Sequence, residues 1–247
     1  PDSFSDGGKF DQIDAALKHV EEMIGDGADV IDIGGESTRP GYIKKISDEE
    51  ETGRVVPVIE AVKKEFGIPI SVDTYKSGVA EAAAQAGADL INDIWGLKYD
   101  PRMAEAIAKS GLACCLMHNR DNTEYRNLMA DVKQDLRETI ALAKAAGIAD
   151  DKIILDPGVG FAKSYENNLE VIRRLKEFNE LKYPVLLGTS RKSVIGLTLD
   201  LPAAERVEGT IVTTVMAVEA GCMFVRVHDV KENHRAIQMA EAILDRK

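Results

Sequence analysis

The sequence predicts an α/β chain of parallel strand–helix units closing as a (β/α)8 TIM barrel, and three observations predict it. Seven short apolar runs alternate with longer amphipathic stretches over 247 residues. The runs are near-continuously apolar rather than alternating, as strands covered on both faces must be. Several units enter their strand through glycine, the residue that most easily ends a helix. An open doubly wound sheet is the alternative arrangement of the same units.

The first helix is expected at about Phe10–Gly25. The strands are expected at Val30–Glu36, Pro69–Thr74, Leu90–Ile94, Ala113–His118, Ile153–Pro157, Pro184–Ser190 and Met223–Asp229. Between them, Val55/Ile59/Val62, Leu169/Ile172/Leu175 and Ile211/Val215/Val218 mark helical faces. Ser47 with Glu50 three residues on is a capping-box signature. Gly27, Gly67, Gly87 and Gly111 stand where helices should stop. Seven strands against eight helices leave one strand short of a barrel, so a strand is expected upstream of Pro1, inside a longer protein. No linker or shift in composition interrupts residues 1–247, which predicts a single domain.

Composition narrows the partners. With 45% hydrophobic and 30% charged residues the chain can bury a large core, which excludes disorder. Lys and Arg number 31 against 42 Asp and Glu, a net charge of −11. That excess of acid disfavours nucleic acid and anionic membranes, so an anionic ligand would need a local basic cluster. No apolar run reaches the roughly 18 residues of a spanning helix. Cys114, Cys115 and Cys222 sit in apolar runs as small buried hydrophobes, and an odd number of thiols fits a reducing cytoplasm.

Barrels of this kind place their chemistry at the C-terminal strand ends. Every expected strand here ends in polar residues: Glu36-Ser37-Thr38-Arg39, Asp73-Thr74-Tyr75-Lys76, Asn92-Asp93, His118, Asp156, Ser190-Arg191-Lys192 and Arg226-Val227-His228-Asp229. Two subsets stand out. Arg39, Arg191, Lys192, Arg226 and His228 could surround a multiply charged anion, with Thr38 and the Gly34-Gly35 backbone adding neutral donors. Arg226 and His228, two apart on one strand, would face the same way. Asp73, Asn92 and Asp156 suit the edge of a heteroaromatic ring. The plainer reading is that these carboxylates only neutralise the basic cluster. His118 reads as a structural histidine with satisfied hydrogen bonds, and Met117 as core or as padding for a flat ring. Gly158-Val159-Gly160 lacks the third glycine of a dinucleotide fingerprint, and Walker, zinc and nucleophile-elbow motifs are absent.

Several motifs together resemble the dihydropteroate synthase family. They are Pro1-Asp2-Ser3-Phe4-Ser5-Asp6-Gly7-Gly8, Gly34-Gly35-Glu36-Ser37-Thr38-Arg39-Pro40-Gly41, Ser71-Val72-Asp73-Thr74, Ile91-Asn92-Asp93, Leu155-Asp156-Pro157-Gly158-x-Gly160-Phe161, Ser190-Arg191-Lys192-Ser193 and Arg226-Val227-His228-Asp229. The resemblance runs the whole chain. It implies condensation of 7,8-dihydropterin-6-ylmethyl pyrophosphate with p-aminobenzoate, a Mg2+ cofactor, a cytoplasmic homodimer and inhibition by sulfonamides. On the same footing, Asp73, Asn92, Ile94, Met117, Asp156, Gly188, Lys192 and Arg226 would bind the pterin. Thr38, Arg39, Arg226 and His228 would hold the pyrophosphate. Phe4, Pro40, Phe161, Arg191, Lys192 and Ser193 would form the aminobenzoate side. Asp73, Asp156, Lys192, Arg226 and His228 would be the catalytic set. The family's metal-ligating Asn falls just upstream of Pro1, leaving no metal ligand within the chain itself. The rivals the residues leave open are a pterin-binding methyltransferase, which has no use for a pyrophosphate cradle, and a non-catalytic pterin-binding scaffold.

Overall fold

The structure is a computed structural model that describes residues 9–37 and 45–245, with side chains in the first helix from residue 13 onward. Phe4, Thr38, Arg39 and Pro40 lie outside the described residues. Two compact units divide the chain: residues 1–116 with 139–153, and residues 117–138 with 154–247.

In the first unit, α1 (Lys9–Gly25) leads into β1 (Ile31–Gly34). Then follow α2 (Asp48–Glu65), β2 (Ile70–Asp73), α3 (Ser77–Ala86), β3 (Leu90–Asp93), α4 (Met103–Ser110) and β4 (Ala113–Met117). All four strands pair in parallel in chain order. The start of α2 follows from its sequence. Ser47 Oγ accepts the Glu50 N–H at 3.2 Å, four acidic residues occupy the first turn, and Lys63 and Lys64 close the last, matching the helix dipole. Only half of the capping box forms, because the Glu50 carboxylate turns to Arg54 at 2.6 Å. Val55, Ile59 and Val62 are fully buried, as their spacing predicts. α3 and α4 end on left-handed Gly87 and Gly111, whereas α2 stops at an extended Phe66, so Gly67 is not its cap.

The second unit holds α5 (Leu128–Ala145) up to residue 138, most of β5 (Ile153–Asp156), α6 (Tyr165–Arg173), β6 (Leu186–Leu187), α7 (Ser193–Leu199), α8 (Val207–Ala220), β7 (Phe224–Val225) and α9 (Val230–Ile243). β6 and β7 pair in parallel, and Leu155 bridges Val185. All seven expected strands are present. Nine α-helices occur among the described residues rather than eight, because β6 and β7 are separated by the short α7 as well as by α8.

Three expectations fail here. The apolar positions Ile211, Val215 and Val218 are not the buried face of α8: Val215 is exposed, while Thr210, Thr213, Thr214, Ala217 and Val218 are buried. The threonines can face inward because each hydroxyl is bonded, Thr213 to Thr189 at 2.7 Å and Thr214 to Asn233 at 2.7 Å. Arg226 and His228 do not share a strand either, since β7 ends at Val225; one further ladder bond, Arg226 N to Leu187 O, follows before the chain turns away. Cys114 and Cys115 are buried, but Cys222 is only partly so.

Candidate active site

In the first unit, Asp73 ends β2 and Asn92 lies directly beside it on β3 as its register partner. Both are almost fully buried, at 6% and 8% exposure, and parallel pairing puts both side chains on the same face of the sheet. Thr74 N donates to Asn92 O, so the ladder holds to the point where the two side chains emerge. Ile94 is buried just beyond β3. Asp93, one residue out of phase with Asn92, serves the backbone instead: its carboxylate accepts Trp95 N at 2.8 Å and Leu97 N at 2.7 Å, and burial pushes it up to about 6.

The polar tails after β1 and β2 also do something sequence reasoning did not foresee. Lys76 Nζ donates to Glu36 Oε2, Glu51 Oε2 and Ile46 O, each at 2.7 Å, and Tyr75 donates its hydroxyl to Glu36 at 2.5 Å. Burial alone would raise Glu36, but these donors outweigh it and hold the carboxylate below its ordinary value. Glu36 and Lys76 thus form a buried clasp rather than strand-end ligands.

The second unit carries the expected cations. Asp156 ends β5 at 5% exposure, and its Oδ1 accepts Gly158 N at 2.7 Å. Its pKa is raised: burial dominates over the opposing charge of Lys192, the Gly158 N–H and the charges of Lys163 and Arg226. Gly188, just past β6, marks the point on which three of the expected residues converge. A β-carbon there would lie 3.7 Å from Lys192 Nζ, 3.8 Å from Asp156 Oδ2 and 3.9 Å from Arg226 Cβ. An acid, an ammonium and an arginine stem therefore face one glycine-sized opening. Lys192 Nζ is aimed by Val159 O at 2.6 Å and sits 4.8 Å from the centre of the Phe161 ring. Met117 is 3% exposed at the end of β4.

His228 is set by Ser190, whose Oγ meets both its backbone N at 3.1 Å and its ring Nδ1 at 2.9 Å. Arg191, expected among the anion ligands, instead forms a two-point pair with Asp229, and its backbone takes φ 57°. Thr210 accepts the Arg191 N–H, and Arg206 grips the Arg191 and Lys192 carbonyls, so this turn is braced from α8. Ser193 is exposed at the start of α7. His118 is structural as read: its Nε2 meets Asp135 at 2.9 Å and its Nδ1 meets Lys163 Nζ at 2.9 Å. Among the described residues no three of His, Cys, Asp and Glu gather as a metal site. None of the described helices is long and apolar enough to cross a membrane.

A buried acid, an ammonium and an arginine stem brought together just past parallel strands are the arrangement of an α/β enzyme site. Residues 1–228 match the family model described as pterin binding enzyme. The dihydropteroate synthase of Clostridium beijerinckii is 62% identical over all of this chain and 91% of its own length. A crystal structure of the Clostridium difficile dihydropteroate synthase in the presence of pteroic acid has a TM-score of 0.96 at 51% identity, covering 100% of this chain and 94% of its own. The Yersinia pestis dihydropteroate synthase with a sulfonamide drug has a TM-score of 0.93 at 44% identity, covering 99% of this chain and 91% of its own. The chain belongs to the pterin-binding enzymes and, within them, to the dihydropteroate synthases, transferases with the (β/α)8 class of fold that the sequence predicts.

Proposed function

We propose that the chain condenses 7,8-dihydropterin-6-ylmethyl pyrophosphate with p-aminobenzoate to 7,8-dihydropteroate and pyrophosphate, by dissociative substitution. The convergence of Asp156, Lys192 and Arg226 on Gly188 carries this reading. Loss of pyrophosphate breaks the C–O bond and leaves a cationic methylene conjugated with the electron-rich pterin. Asp156 and Asp73 stabilise that cation; Arg226 and His228, with Thr38 and Arg39, stabilise the departing diphosphate. The aniline nitrogen is neutral at pH 7, so it forms the new C–N bond with its own lone pair and sheds a proton to water. No strong base is required, and catalysis is electrostatic and positional.

Asn92, Ile94, Met117, Gly188 and Lys192 complete the pterin contacts in this reading, and Phe4, Pro40, Phe161, Arg191 and Ser193 the aminobenzoate side. The Arg191–Asp229 pair must open, or present only its outer edge, for Arg191 to take that role. Mg2+ would be held chiefly by the pyrophosphate oxygens, which suit it, and would help to neutralise the departing charge. The sulfonamide complex of the Yersinia pestis enzyme supports the same drugs as ligands here. A homodimer is part of the proposal: α7, α8 and α9 pack together and leave Leu197, Val212, Met239 and Ile243 more than half exposed. One cytoplasmic pterin-binding domain is the matching organisation, since a single family model runs through both units.

The test is Arg226→Ala, assayed by pyrophosphate release with both substrates present. Loss of one such charge-stabilising donor costs about 10²–10³-fold in turnover. Turnover close to that of the unmodified chain would remove the anion-binding half of the proposal.

A further inference from the structure

The loop from Pro157 to Lys163 has no helix or strand, yet many of its polar atoms are committed. Gly158, Gly160 and Ala162 all take left-handed φ, at 70°, 89° and 47°, so no repeating backbone ladder can hold it. Beyond one backbone turn bond, Phe161 N to Gly158 O at 3.1 Å, its shape comes from side chains. Asn168 Oδ1 accepts Gly160 N at 2.7 Å, and Tyr125 donates its hydroxyl to Ala162 O at 2.8 Å. Lys163 Nζ donates to Gly158 O at 3.0 Å, to Phe161 O at 3.2 Å and to His118 Nδ1 at 2.9 Å, which uses all three ammonium hydrogens.

The same loop presents its remaining groups to the site. Gly158 N holds Asp156 Oδ1, Val159 O holds Lys192 Nζ, and the Phe161 ring lies beside that ammonium. Asp156 and Lys192 are therefore aimed by backbone atoms whose neighbours in the chain Lys163 fixes. His118 is fitted to this task. Burial pushes the imidazole down to about 4, so it is neutral; with Nε2–H donated to Asp135, Nδ1 must accept. Asp135 is in turn held by Arg120 Nε at 2.5 Å.

Lys163 is an expensive way to hold a loop. Among the described residues no carboxylate forms an ion pair with its Nζ, and burial outweighs the attraction of Asp156 and pushes it down to about 7, the mark of a cation taken from water for a reason other than stability. We propose that Lys163 is a positioning residue for the reaction, locked by the His118–Asp135 pair and acting through the Pro157–Ala162 loop on Asp156 and Lys192. This rests on the reading that Asp156 and Lys192 handle the pterin.

The decisive variant is Lys163→Met, which keeps the stem and removes the donors. We expect it to fold with a melting temperature within a few degrees of the parent. Its kcat/KM for the pterin pyrophosphate should fall at least tenfold, and its calorimetric affinity for that substrate should weaken in parallel. A second pair keeps the idea open to refutation if that variant fails to fold. His118→Asn retains an acceptor near the Nδ1 position and should keep activity within about threefold, whereas His118→Leu should reproduce the Lys163→Met loss. A folded Lys163→Met with parental kcat/KM overturns the proposal, as do Asn and Leu variants of His118 with equal activity. Lys192→Ala and Arg226→Ala run alongside separate the two levels. If they stay active the site reading itself is wrong, and if they fail while Lys163→Met does not, only the role of Lys163 is lost.

Discussion

Gly188→Ala puts the site and the fold on opposite sides of one measurement. Gly188 does not need to be glycine for its backbone, because its φ lies outside the left-handed region. An added methyl would stand 3.7 Å from Lys192 Nζ, 3.8 Å from Asp156 Oδ2 and 3.9 Å from Arg226 Cβ, all ordinary van der Waals distances. Nothing has to move, so the native state carries no clash. The unfolded chain meanwhile loses freedom, which favours folding by about 0.4–1 kcal/mol and raises the melting temperature by roughly 1–4 °C. The methyl does, however, fill the space in front of the three groups proposed to meet the pterin. A displacement of about 1 Å at a reacting centre costs on the order of 10²-fold, or about 2.7 kcal/mol of barrier. Scanning fluorimetry and pyrophosphate release, read on the same preparation, should therefore diverge: equal or higher melting temperature, with kcat/KM for the pterin substrate down about 100-fold. A stable Gly188→Ala enzyme with undiminished kcat/KM would mean that the pterin does not sit against Gly188, and the proposed use of Asp156, Lys192 and Arg226 would fall with it.

Three further predictions follow from the same geometry. Gly158→Ala should be destabilised by several kcal/mol in chemical denaturation, because its β-carbon would lie 2.0 Å from His118 O at a φ of 70°; parental stability would contradict the described loop. Lys163 should make stability depend on pH. Its folded pKa, pushed down by burial to about 7, lies below that of an unfolded lysine, about 10.4. Between those values the unfolded chain binds more protons, so this group's contribution rises with pH across that window. Denaturation at pH 7 and pH 9 should show a rise that Lys163→Met lacks; identical pH dependence in the two proteins would refute the assignment. Val212→Glu, on the exposed side of α8, should convert the proposed homodimer to monomers by light scattering, and an unchanged dimer mass would place the interface elsewhere.

How much of this could be read from residues alone depends on how local the cause is. The strands were legible because residues such as Ile70, Val72 and Ile91, buried on both faces of parallel strands, leave a continuous apolar signature. Their ends were read too long. Polar residues after Val225 and Leu187 look like strand continuations in a string of letters, but the ladder runs only one bond further, from Arg226 N to Leu187 O, before the chain leaves it. Asp73 and Asn92 were legible as a pair because parallel register sets them side by side whatever the loops do. The α8 face was misread because hydrophobicity alone was used to choose it. A buried threonine costs little once its hydroxyl is bonded, and the partners that bond these, Thr189 and Asn233, come from elsewhere in the sequence.

The groups missed altogether share one property: they act through hydrogen bonds that close over long stretches of chain. Lys76 reaches Glu36 across 40 residues, and Lys163 reaches His118 across 45. Neither has a neighbour whose spacing announces the bond, as Ser47 and Glu50 do for a helix start. What each does have is a cost, a cation drawn out of water beside a segment without regular structure. The two differ in how that cost is met. Lys76 is met by two carboxylates, Glu36 and Glu51, and its ammonium stays charged well above neutrality despite burial. Lys163 touches two carbonyls and a neutral ring, and the nearby charge of Asp156 offsets only part of the cost of its burial. An ion pair can be kept for the fold alone; an ammonium with no ion-pair partner among the described residues, spending its three hydrogens on a loop that aims Asp156 and Lys192, is better explained by what those two residues must do.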